Sequence, residues 1–144
     1  MKRTLLSTFG AVLLILLGLM NTVGGIGWIW GRTMLAMGKL GSQAQEEQIT
    51  TNEAVRAKIQ RLEKVAPVLG AFTLLFGICA IVAGAAVLAL KPWSHILAVC
   101  SMAGAGVVTL AYGMLLHFGL FTVFFLLLYA FTAVAVLYSK QEAS

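Results

Sequence analysis

Aspartate is missing from this chain, and glutamate is missing from Ala66 to Tyr138. Within that stretch the ionisable side chains are Lys91, His95, His117, two cysteines and three tyrosines. The absence removes most catalytic and ion-coupled chemistry, which draws on buried carboxylates and charge pairs. Proline is scarce as well. Pro67 and Pro92 are the only two, so long helices meet few breaks. Cys79 and Cys100 fall at different depths of separate apolar segments, which does not suit a disulfide, and both read as small apolar fillers. Charge is thin: ten Lys and Arg stand against five Glu, for a net +5. The basic residues lie at the edges of apolar runs, where lipid headgroups are met, and no nucleic-acid partner is expected.

What the chain does have is hydrocarbon. Hydrophobic residues make up 60% of its 144 positions, and mean hydropathy is +0.97. About 20 apolar residues cross a bilayer core as a helix. Four segments qualify: 5–30, 65–90, 94–116 and 119–138. Together they predict an all-α integral membrane four-helix bundle, one domain over 1–144, with a partly helical polar loop at 31–64. Lys2 and Arg3 before Leu5 resemble the start of a secretory signal, but no small-x-small cleavage site follows. The reading is an uncleaved first helix.

End signals accompany each segment. Pro92 is expected to stop the second helix, with Trp93 at the headgroup layer and Ser94 as N-cap of the third. His117, Phe118 and Gly119 leave room only for a tight hairpin between the third and fourth helices. Trp93 and Tyr138 then mark one interface, and Trp28, Trp30 and Tyr112 lie near the other. Lys91 in the short second loop, with no Lys or Arg in the third, favours both termini in the cytoplasm. The first loop, with Arg32, Lys39, Arg56, Lys58, Arg61 and Lys64, counts the other way.

In that loop Gly38, Gly41 and Ser42 loosen the chain, and Thr50 with Glu53 fits a capping box. Val55, Ile59 and Leu62 then line one apolar helical face, a candidate docking surface outside the bilayer. Pro67 is expected to kink the chain as it enters the membrane, or to divide it after Ala66.

The most specific pattern is on the second helix. Ala66, Gly70, Thr73, Gly77, Ala80 and Gly84 recur in steps of four and three, giving a smooth groove. Lipid supplies no hydrophobic drive between helices, so close backbone approach must hold them together. Shorter analogues are Gly24, Gly27 and Gly31 on the first helix and Ala103, Gly106 and Gly113 on the third. Phe121, Phe124, Phe125 and Phe131 of the fourth are the expected knobs for such grooves. Asn21 is the one amide within a span; Thr109 or Tyr112 is its expected partner, and Tyr129 raises the same question.

No catalytic residue, metal site or cofactor is expected. His95 and His117 are 22 residues apart, about 33 Å along a helix, too far to share an ion. No nucleotide or zinc motif appears. The stretch Lys91-Pro92-Trp93-Ser94-His95-Ile96-Leu97-Ala98, with the long first loop, resembles small bacterial four-helix membrane proteins that carry a basic-Pro-Trp loop before the third helix. That resemblance implies the architecture and a bacterial inner membrane, and no activity. Small multidrug exporters carry a carboxylate in the first helix and fluoride channels a glycine–arginine stretch; this chain has neither.

The expected function is a non-catalytic accessory or scaffolding subunit. Its partners are membrane lipids and either other transmembrane subunits or further copies of itself, docked through the small-residue grooves. The alternative is a homo-oligomeric channel or small transporter for an uncharged or apolar solute, with Asn21, Thr73 and Thr109 along its path. A third reading is a lipid, quinone or pigment held in a groove.

Overall fold

The computed structural model describes residues 5–41, 53–115 and 119–142, with side chains for 5–31, 57, 60, 61, 64–115 and 119–138. The described residues form four helices: α1 (Leu5–Gly41), α2 (Glu53–Leu88), α3 (Ser94–Leu115) and α4 (Leu120–Glu142). Among the described residues there is no strand. Each helix contains a stretch long and apolar enough to cross a membrane: Leu5–Gly31, Lys64–Leu88, Ser94–Leu115 and Leu120–Tyr138. The Thr50 cap and the turn at His117 and Phe118 lie outside the described residues.

Much of the polar loop is helix. α1 continues to Gly41 and α2 is already formed at Glu53. Gly31 and Gly38 do not end α1. A glycine costs about 1 kcal/mol relative to alanine, too little to stop a helix of 37 residues that is already propagating. Pro67 does not divide α2 either. It removes one backbone bond inside a continuous helix, while Ala66, Leu69 and Gly70 around it are buried against the rest of the molecule.

The end of α2 is a capping turn rather than a proline stop. The Lys91 N–H donates to the Ala86 carbonyl at 3.0 Å and the Leu90 N–H to the Val87 carbonyl at 3.1 Å. This paired pattern needs a left-handed residue, and Leu90 takes it with φ of 58°. A side chain in that region costs roughly 1–2 kcal/mol. Leu90→Gly is therefore expected to stabilise the protein by about 1 kcal/mol in a denaturant titration. No gain would mean that packing of the leucine side chain offsets the strain.

Ser94 does not cap α3. The first bond of that helix runs from the Leu97 N–H to the Trp93 carbonyl, which puts Trp93 at the capping position. The Ser94 hydroxyl instead donates back to the Lys91 carbonyl at 2.6 Å, closing the turn.

α1 packs along α2 and against α4, α2 against α3, and α3 against α4, so the helices form a ring. Its centre combines Leu14, Leu17, Met102 and Val136 with the small residues Ala11, Ala80 and Ala98, all almost fully buried. Small residues at the centre let the backbones come close. The α4 aromatics are arranged differently from the sequence expectation. Phe121, Phe124 and Phe131 are 80%, 58% and 54% exposed, and of the four only Phe125 packs on the core. In lipid an outward phenylalanine loses nothing, so size alone does not turn it inward. Trp93 and Tyr138 face outward, while Trp28 and Tyr112 meet across the bundle at 4.9 Å between ring centres.

Candidate functional site

The small-residue groove of α2 faces the interior along its whole length. Ala66, Gly70, Gly77, Ala80 and Gly84 are buried, and Thr73 is half-buried. What lies in the groove is α1 of the same chain. A methyl group placed on Gly77 would fall 2.7 Å from the Thr22 backbone nitrogen and 2.8 Å from the Gly18 carbonyl oxygen. On Gly84 it would fall 2.9 Å from the Ala11 carbonyl, and on Gly70 3.2 Å from the Gly25 carbonyl. An outside partner does not find these glycines open in this fold.

The α1 side of the seam is Ala11, Gly18 and Gly25. They repeat every seven residues, as Gly70, Gly77 and Gly84 do, and run antiparallel to them in register. Between the small residues sit larger ones that fill the spaces opposite. Ile15, Thr22 and Ile29 reach Gly84, Gly77 and Gly70, while Ile81 and Leu74 of α2 reach Gly18 and Gly25. Gly24, Gly27 and Gly31, the expected α1 contacts, have nothing within 4 Å of where a Cβ would stand. They belong to the outer face. The signal for the inner set was present in the matching seven-residue repeat of the two helices.

On α3 the tightly packed glycine is Gly104, which lies under the Phe76 ring of α2. Of the expected set, Gly113 is buried and Ala103 is exposed. A methyl on Gly106 would meet only Leu126 Cδ2 at 3.8 Å. Gly106 and Ala103 with Ala130 instead floor an open apolar groove of about 230 Å³ between α3 and α4.

A second feature is polar. Asn21 Oδ1 accepts a 2.8 Å hydrogen bond from the Tyr129 hydroxyl, joining α1 to α4. Neither Thr109 nor Tyr112 is its partner. Thr109 donates to the Ala105 carbonyl of its own helix at 2.9 Å, as Thr73 does to Leu69 and Thr22 to Gly18, each at 2.8 Å. Hydroxyls in an apolar helix find their nearest acceptor one turn back. Asn21 Nδ2 and Tyr112 Oη are buried without a hydrogen-bond partner among the described residues, although Tyr112 lies beside the Thr73 hydroxyl.

Val55, Ile59 and Leu62 lie on the helical backbone of α2, and their side chains are outside the described set. His95 is buried, with Nδ1 3.4 Å from the Ser94 hydroxyl. Among the described residues no three His, Cys, Asp or Glu side chains gather as they would around a metal. No family model, curated protein or solved structure matches this chain.

Proposed function

We propose that this chain is a non-catalytic accessory or scaffolding subunit of a membrane complex, seated in a bacterial inner membrane with both termini on the cytoplasmic side. The observation that carries the reading is the outer face of α1. Gly24, Gly27 and Gly31 have open space where a side chain would be, and their spacing of three and four puts them on one side of the helix. Each glycine costs the helix about 1 kcal/mol relative to alanine. Inside the bundle that cost is offset by close packing against a neighbour, and on this face no neighbour among the described residues supplies it. A partner's transmembrane helix laid along the stripe does. The α1–α2 seam fits the same role, because it makes a firm body with one face held ready.

The test is the native mass of the tagged chain, with its co-purifying polypeptides, in a mild detergent. Gly27→Leu is expected to release the partner while the fold survives. An unchanged complex would overturn the reading. The polar layer around Asn21 favours a second reading, a channel or transporter for a small uncharged solute. Solute flux in liposomes containing the chain alone separates the two.

A further inference from the structure

Each helix contributes a partly or fully buried polar group: Asn21 of α1, Thr73 of α2, Tyr112 of α3 and Tyr129 of α4. Among the described residues their hydrogen-bonding capacity does not close. The amide and the Tyr129 phenol share one bond, which leaves both amide hydrogens of Asn21 unused and Nδ2 buried. Exchanging the amide oxygen and nitrogen does not help, because the buried atom without a partner is then an acceptor. Tyr112 Oη is also buried and makes no well-formed hydrogen bond among the described residues, although the Thr73 hydroxyl lies beside it. Thr22, Thr73 and Thr109 have already given their protons to their own helices. In surroundings without water each unmade bond costs several kcal/mol.

A group that completes these bonds must be small: at Nδ2 it must accept, and at the phenol it must accept or donate. We propose that water fills this role: ordered internal water bonded to Asn21 Nδ2 and Tyr112 Oη forms a hydrated layer inside the bundle. Buried waters in proteins make about three bonds each, usually to groups left over in this way. The Thr73 oxygen, beside Tyr112, still has a lone pair to offer. The inference stands on these polar atoms and does not depend on the accessory-subunit reading.

The experiment is solid-state NMR of the full chain, labelled with ¹⁵N-asparagine, in phosphatidylethanolamine–phosphatidylglycerol bilayers. The chain has two asparagines, Asn21 and Asn52, and Asn52→Gln leaves Asn21 as the only labelled residue, its side-chain NH₂ distinct from its backbone N–H. The expected result is transfer of magnetisation from water to the Asn21 side-chain amide, lost when the water signal is suppressed. Tyr112→Phe, which deletes one hydroxyl and keeps the ring, is expected to weaken that transfer. An amide that receives nothing from water while its own signal is strong overturns the proposal. So does an amide fed from lipid protons instead, which would assign the acceptor to a lipid group.

Discussion

Gly77→Leu is expected to separate α1 from α2. Even the first carbon of a side chain at this position meets backbone, 2.7 Å from the Thr22 nitrogen and 2.8 Å from the Gly18 oxygen. Backbone cannot rotate away as a side-chain tip can, so the two helices must move apart. Overpacking of a well-filled interior costs about 1–3 kcal/mol, which sets the expectation for Gly77→Ala. Leucine adds three more carbons in the same place, so its loss exceeds that of alanine. The control is Gly27→Ala on the open face, where a methyl meets nothing and better helix propensity is worth up to about 1 kcal/mol. Unfolding in mixed micelles with increasing SDS, followed by tryptophan fluorescence, compares the three. If Gly77→Ala and Gly27→Ala behaved alike, close contact between α1 and α2 would be refuted.

Tyr129→Phe is expected to cost about 1–2 kcal/mol, near the upper end of hydrogen bonds between transmembrane helices. The loss comes from the bond itself and from what stays behind: Asn21 Oδ1, half-buried, would lose the Tyr129 donor. Asn21→Leu alone leaves the Tyr129 hydroxyl in the same difficulty. The pair Asn21→Leu with Tyr129→Phe removes donor and acceptor together and is expected to be milder than the sum of the two singles. A double-mutant cycle in the same unfolding assay measures the difference. Additive losses would mean that the 2.8 Å contact contributes no coupling.

The four spans were legible because each must be apolar for about 20 residues, and composition reports that directly. The α2 seam was legible for a related reason: six small residues at helical spacing are hard to place anywhere but in a close contact. What occupies the seam was not. Gly18 and Gly25 are no different in kind from Gly24 and Gly27, and lipid tolerates either pair on the outside. Only the shared repeat of Ala11, Gly18 and Gly25 with Gly70, Gly77 and Gly84 distinguishes them. Likewise, the partner of Asn21 was ambiguous among several hydroxyls, since Thr109 and Thr73 satisfy themselves within one turn. The start of α2 at Glu53 was legible in the stripe Val55, Ile59 and Leu62, which continues into the second span; the length of α1 was not, because a weak breaker such as Gly38 does not stop a helix already under way.

The regular repeat along α1 and α2 would by itself permit a slip. Sliding α1 by seven residues, about 10.5 Å, would set glycine against glycine again with one step fewer. What differs from step to step is the side chain laid over each glycine: threonine over Gly77, isoleucine over Gly84 and Gly70. A slip in either direction would bring Ile15 or Ile29 onto Gly77, with a larger side chain than the threonine that now fits there. Thr22 thus indexes α1 along α2 as a single keyed tooth would.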